Sequence, residues 1–471
     1  MIIDSFSFDE LRNIKEICKD YSTDQIKDYV QDYIINKSLR NGNKNIAYMF
    51  YTGFGKTRTA IKIKDRFLLR KPDAKINVVS PSGNLQKRWA GEDVKLNSYV
   101  INSFTMNFSD EKRNCNLLFV DEAHHCLNED SIYFSNLIKC NADYKILLSA
   151  SLSKKHLNYL KKNNFTYVFE LRISDGQFLG LLPDFSIFNL PIDLTLTEKI
   201  KYAKEQEIID KYIDLFSPLT IAFEDSEYMT EKFLSAVLLT KGKKARIDNL
   251  EKDASEWLDY IYKVLIENNR KIKDKDIIIF CAKTLKMALL RRESIISDAT
   301  NKISTLVELI KEFDRKNIIF TKGKATSVRV EQKLNSINIK AKTYNSDVSE
   351  KLKKLTFEAF QHNMIKSLIC INELKEGLDI ADIDFIIRHS FNGSQVDAQQ
   401  ILGRALRLDK NNPDKHSLLI NIYVKNFNYS SKHYKSSDIS KLEYAYKGLQ
   451  VKWIESIENI KSAINNAEEI C

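Results

Sequence analysis

The chain has 471 residues, 43% of them hydrophobic, with 73 basic against 63 acidic residues and a formal net charge of +10: ample material for several buried cores, and too mild a charge excess to define a polyanion-binding protein alone. Its seven cysteines are scattered, with no C-x-x-C pair and no histidine at ligand spacing, which argues against zinc and iron–sulfur centres and for reduced thiols in a cytoplasmic protein. The first residues lack the basic start and apolar core of a signal peptide and no apolar run reaches membrane-span length, so no membrane partner is expected.

Along the first part of the chain, short apolar runs alternate with amphipathic stretches, the pattern of a parallel sheet covered by helices. Strands are expected at residues 46–50, 76–80, 98–102, 117–120, 146–149 and 167–171. Between about 195 and 301 the pattern turns helical, with little glycine or proline. A second strand series at 317–321, 339–344, 367–371, 385–388 and 418–422 indicates a second α/β lobe. Near the C-terminus, Leu449, Trp453, Ile454, Ile457, Ile460 and Ile464 recur at helical spacing, a stripe expected to pack on its own protein. The expected division is a first lobe at 1–190, a helical linker or insertion at 191–300, a second lobe at 301–430 and a C-terminal helical extension at 431–471.

Immediately after the first of these strands stands Tyr51-Thr52-Gly53-Phe54-Gly55-Lys56-Thr57, followed by an amphipathic helix. Glycines let such a loop curl so that backbone N–H groups face phosphate oxygens; the helix N-terminus adds its dipole and Lys56 reaches the β- and γ-phosphates. Thr57 is expected to hold Mg²⁺ through its hydroxyl. The loop departs from the general pattern in one respect, since Phe50 stands where a first glycine is usual. A second carboxylate site follows the apolar run Leu117-Leu118-Phe119-Val120, which leaves Asp121 at the carboxyl edge of a buried strand. There Asp121 can hold Mg²⁺ through water, and Glu122 is placed to orient and deprotonate an attacking water.

With Asp121-Glu122-Ala123-His124 the chain resembles the superfamily 2 helicases and translocases of the DEAH type, over most of its length. The loop at 52–57 looks like motif I of that family, residues 121–124 like motif II, and Ser149-Ala150-Ser151 like motif III, with Ser151 in place of the usual threonine. The resemblance implies two RecA-like lobes with parallel sheets, ATP hydrolysis with Mg²⁺ in the cleft between them, and coupling of motifs II and III through His124, Ser149 and Ser151. Phosphoryl transfer needs a cation for the charge that develops. Gln400, Arg404 and Arg407 fall on one helical face and match motif VI, so the resemblance makes them the finger set. Residues 372–380 are similar to motif V, with Gly377 allowing close backbone approach and Asp379 reaching towards ribose or an arginine; 317–321 resemble motif IV. The family's adenine-reading glutamine is expected upstream of the loop, at Gln25 or Gln31.

Small, hydroxyl and basic residues at the expected strand ends, Pro81, Ser82, Ser103 and Thr105 in the first lobe and Thr321, Lys322 and Lys324 in the second, point to nucleic-acid backbone contacts of low sequence specificity. The long helical segment between the lobes looks more like Swi/Snf-type translocases and phage or viral helicases than DEAD-box RNA helicases, which favours DNA over RNA. A clamp or remodelling factor using the same motifs without strand separation is the competing reading. A P-loop kinase or GTPase is disfavoured, because neither needs the paired-arginine set.

Overall fold

The computed structural model describes residues 1–40, 42–92, 95–106, 114–127, 132–248, 250–345, 348–371, 383–391, 398, 401–403, 406, 415–425, 438–446 and 449–468. A first sheet contains β1 (Ile2–Ser5), β2 (Asn45–Phe50), β3 (Ile76–Ser80), β4 (Asn97–Val100), β5 (Asn114–Val120), β6 (Asn141–Ser149) and β7 (Tyr167–Leu171), all parallel, in the order β1-β7-β2-β6-β5-β3-β4. Strands such as β2 and β3 are buried on both faces, which is why they read as continuous apolar runs. Ile46, Tyr48 and Phe50 of β2 join one core with the helices Thr23–Leu39 and Lys56–Arg70, while Ala47 and Met49 join another on the opposite face.

The chain then enters a second sheet through β8 (Asp184–Ile192), leaves it for a helical excursion that includes an antiparallel hairpin of β9 (Lys244–Ile247) and β10 (Leu250–Asp253), and returns. The remaining strands are β11 (Asn317–Thr321), β12 (Ala341–Tyr344), β13 (Ser367–Ile371), β14 (Phe385–Arg388), β15 (His416–Val424) and β16 (Lys452–Trp453), giving the parallel order β12-β13-β11-β14-β15-β8-β16. The limit expected at residue 190 therefore falls inside a strand of the second sheet, and the helices up to Ser297 branch from that sheet's own path. Pro191 is tolerated in β8 because β16 pairs only with Phe188 and Asn189, so the missing N–H lies beyond the partner strand.

The excursion's core is formed by Ile209, Phe216, Phe233, Trp257, Ile261, Leu265, Ile278 and Leu285. Within it Arg292 forks onto the carboxylate of Glu227 and donates to Gln206 Oε1 at 2.8 Å, tying the helices Leu196–Leu215, Ser226–Ala236 and Lys275–Ser297 together. Entry and exit share one carboxylate. Glu198 accepts from the Thr195 N–H at 2.9 Å as part of a capping box, and its other oxygen accepts from the Thr300 N–H at 2.9 Å at the start of the helix Thr300–Phe313. Burial pushes the Glu198 carboxyl up, but these donors outweigh it and hold it below the usual range.

Two expectations change. Residues 101–102, expected to end a strand, begin the helix Ile101–Met106, and the C-terminal stripe is helical only over Ile457–Glu468, with Trp453 in β16 instead. Ile460 and Ile464 nonetheless pack on the protein's own core, with Leu190 and Ile192 of β8.

A buried polar chain crosses the second lobe. Lys302 pairs with Asp438 at 2.9 Å, and the same Asp438 oxygen accepts the Val424 N–H at 3.1 Å. Arg388 donates to the Tyr446 hydroxyl at 2.6 Å, which donates to Asn421 at 3.0 Å, which in turn donates to Asn189 at 2.8 Å. Burial lowers the Lys302 pKa and Asp438 opposes that shift. Replacing Asp438 with Asn leaves the ammonium buried without its anion, and is expected to lower the free energy of unfolding by about 3–5 kcal/mol. Denaturant titration of the two proteins measures this; a loss under about 1 kcal/mol would place the stability of this region elsewhere.

Candidate active site

At the end of β2 the chain turns through Gly53 at φ 96° and Gly55 at φ 108°, both in the left-handed region that glycine enters without cost. Gly55 is doubly constrained, since a Cβ there would lie 2.8 Å from the Gln31 amide nitrogen. Gln31 is fully buried beneath the loop and donates to the Phe54 carbonyl at 3.3 Å. Phe54 is pinned in the core, its ring 5.1 Å from Phe50, so the residue standing in place of the usual glycine anchors the loop through an aromatic contact. Gln25, by contrast, is exposed and closes the capping box of Ser22 at the start of the helix Thr23–Leu39.

The helix Lys56–Arg70 starts directly from this loop with no side chain capping its N-terminus among the described residues, which leaves its first N–H groups and positive dipole end available to an anion. Thr57, its second residue, is half-buried. Lys56 reaches across to Glu122, Nζ to Oε1 2.5 Å. Glu122 follows β5 with left-handed dihedrals, φ 45° and ψ 50°, a conformation a non-glycine residue holds only when its surroundings impose it. Burial pushes its carboxyl up, but the Lys56 ammonium, aided by His124 and His125, outweighs that and keeps it below the usual range. The neighbouring Asp121 is pushed up by burial and then by the Glu122 charge, with Lys56 too weak to cancel them. Its Oδ2 accepts from Trp89 Nε1 at 2.9 Å and its Oδ1 from the Glu122 N–H at 2.9 Å.

His124 lies 3.1 Å from the Ser149 hydroxyl, which donates onward to the Ser151 carbonyl at 2.8 Å. The His124 nitrogen involved is therefore the protonated one. Motifs II and III are thus joined through Ser149; the Ser151 hydroxyl is buried with no hydrogen-bond partner among the described residues.

The expected backbone-contact residues divide. Pro81 and Ser82 are half-exposed between β3 and the helix Gly83–Glu92, Ser103 is exposed, and Lys324 is exposed at the first position of the helix Lys324–Ser336. Lys322 is exposed and paired with Glu293. Thr105 and Thr321 are buried, and the Thr105 hydroxyl donates to the Ile101 carbonyl of its own helix at 2.8 Å. Gly377, Asp379, Gln400, Arg404 and Arg407 lie outside the described residues. Their neighbour Gly403 does not: it meets the loop so closely that a Cβ on it would lie 2.3 Å from Thr52 Cβ.

Sequence reading missed Trp89 and the supporting role of Gln31, because each acts through a partner distant in the chain: Asp121 for the first, Phe54 and Gly55 for the second. The donor set fits a magnesium nucleotide. Two left-handed glycines and an uncapped helix N-terminus could receive the phosphates, Asp121 is a buried carboxylate short of positive charge, and the Thr52 hydroxyl and Glu122 Oε2 are buried without hydrogen-bond partners among the described residues.

Two all-parallel sheets, with a phosphate loop on one and a helix of the other laid against it, define a two-lobed P-loop nucleotide hydrolase. The profile described as Type III restriction enzyme, res subunit matches residues 14–168, and that described as Helicase conserved C-terminal domain matches residues 301–409. The chain belongs to the superfamily 2 helicases, and so is an ATP hydrolase and an ATP-dependent nucleic-acid motor. Among solved structures, a variant of S. cerevisiae Dbp5 bound to RNA and ADP BeF3 shares the fold at 11% identity, covering 93% of each chain with a TM-score of 0.52. The Pyrococcus furiosus Hef helicase domain is 16% identical over 84% of this chain and 95% of its own, with a TM-score of 0.49. No curated protein matches the sequence.

Substituting Gly403 with Ala drives a methyl group into Thr52. Overpacking of this kind costs about 1–3 kcal/mol against the closed arrangement, so turnover is expected to fall by roughly 5- to 150-fold while each lobe stays folded. Steady-state ATPase with circular dichroism checks both, and unchanged turnover would mean the cleft does not close on this contact.

Proposed function

We propose that this protein moves along DNA, with duplex DNA as its track, by opening and closing the cleft between its lobes as ATP is bound and hydrolysed. What supports DNA over RNA is the match of the first lobe to the profile described as Type III restriction enzyme, res subunit, since restriction is an act on DNA. Lys56 holds the β- and γ-phosphates, Thr57 and Asp121 hold Mg²⁺, and Gln400, Arg404 and Arg407 complete the site from the second lobe, with Gly377 and Asp379 beside them. The contact of Gly403 with Thr52 supports that last assignment, because Gly403 stands next to Arg404 in the chain and between Gln400 and Arg407. When bound, Mg²⁺ supplies charge neutralisation at the phosphates.

Glu122 is the general base. Its ion pair with Lys56 keeps it ionised but a poor proton acceptor. As Lys56 turns to phosphate, its opposition to burial is withdrawn, only His124 and His125 still hold the carboxyl down, and the affinity of Glu122 for a proton rises, which suits it to take one from water. His124 and Ser149 carry the change between motifs II and III. Pro81, Ser82, Ser103, Lys322 and Lys324 meet the polynucleotide backbone.

Replacing Glu122 with Gln is expected to leave nucleotide binding within a few-fold of wild type while turnover drops about 100-fold or more. Equilibrium binding and single-turnover hydrolysis separate the two; near-normal turnover would remove Glu122 from the role. The track is tested by comparing ATPase with duplex DNA, single-stranded DNA, forks and RNA. Duplex DNA is expected to stimulate most, with binding that weakens steadily as salt rises. Stimulation by RNA alone would replace DNA as the track, and equal rates with and without every polynucleotide would end the motor reading. Strand displacement on forked DNA distinguishes a helicase from a translocase.

A further inference from the structure

We propose that Trp89 is a positioning residue that orients the Asp121 carboxylate for Mg²⁺ and ties it to the helix Gly83–Glu92. The proposal rests on the reading of Asp121 as a metal-holding group. Trp89 is 1% exposed and donates from Nε1 to Asp121 Oδ2 at 2.9 Å. With the Glu122 N–H on Oδ1, each carboxylate oxygen has one fixed donor, which sets the rotation of the group and leaves a lone pair on each oxygen for another ligand. A buried indole ordinarily finds some acceptor, and Trp257 takes a backbone carbonyl, that of Ala245, at 3.0 Å. Trp89 takes the ionisable side chain at the end of β5.

The choice of donor matters electrostatically. A lysine or arginine here would stabilise the carboxylate by adding a positive charge that repels a divalent cation. An indole N–H orients the same oxygen with no net charge, so Asp121 keeps its full attraction for the metal. The bond also has mechanical reach. Trp89 lies on a helix fixed to β4 by Gln86, which donates to the Ser98 carbonyl at 3.0 Å, and whose front end follows Pro81 and Ser82. A shift of that end is transmitted to the carboxylate through one rigid side chain.

The test is Trp89→Phe, which keeps the apolar body and removes the donor. Affinity for the fluorescent nucleotide mant-ADP is measured with and without MgCl₂. Without metal, both proteins are expected to bind within about two-fold of each other, whereas the gain on adding Mg²⁺ is expected to be about 10-fold smaller in the variant, as for loss of a group supporting a metal ligand. A merely structural role would weaken both measurements alike, and an equal Mg²⁺ gain in the two proteins overturns the proposal. A wild-type protein with no Mg²⁺ gain would overturn the reading of Asp121 and the proposal with it. Should the variant not fold, ¹⁵N-indole spectra of the wild-type protein decide. One of its three indole signals is expected to move when MgCl₂ is added to the ADP-bound protein, and no movement overturns the proposal.

Discussion

The backbone path through Gly53 and Gly55 is the constraint on which the rest of the site depends. It is enforced from both sides: Gln31 fills the space under Gly55, and Gly403 of the second lobe lies on Thr52. Neither approach leaves room for a side chain, so loop shape and cleft closure are one packing problem. The aromatic anchor of Phe54 on Phe50 holds the loop to β2, and the helix that starts at Lys56 inherits its direction from that anchor.

Electrostatics then divide the labour of two adjacent carboxylates. Asp121 is held by two neutral donors and left short of positive charge, whereas Glu122 is held by the ammonium of Lys56. Opposite shifts on neighbouring groups are the usual mark of different chemical tasks. The left-handed backbone at Glu122 belongs to the same arrangement, since it turns the second carboxylate towards Lys56 while the first stays in line with β5.

The second lobe solves a different problem. Its sheet is interrupted in sequence by the helical excursion, and β8 must find β15 across more than 200 intervening residues. Full-length pairing of those strands, the Asn189 to Asn421 hydrogen bond between them and the Lys302 to Asp438 pair behind them specify that register. Glu198, by capping two helices at once, closes the excursion at its base, so the helical unit projects from the lobe on a fixed stem.

Local sequence determined much of this. Buried parallel strands announce themselves as apolar runs, and strands at 76–80, 167–171, 317–321, 367–371 and 385–388 stand where those runs lie, because burial on both faces leaves no other pattern available. The positions of the glycine loop and of Asp121-Glu122 were equally legible, since each follows directly on an apolar strand, β2 for the first and β5 for the second. Edge strands β1 and β16 were not, being short and partly exposed, nor was β8, whose Pro191 argues against a strand until the limited reach of β16 is known. Only the tertiary structure decided that Gln31 supports the loop, that Ser149 and not Ser151 meets His124, that Thr105 faces inward and that Trp89 holds Asp121. Each of these depends on a contact between segments far apart in the chain, and such contacts are set by how the sheets and helices pack, which no local pattern encodes.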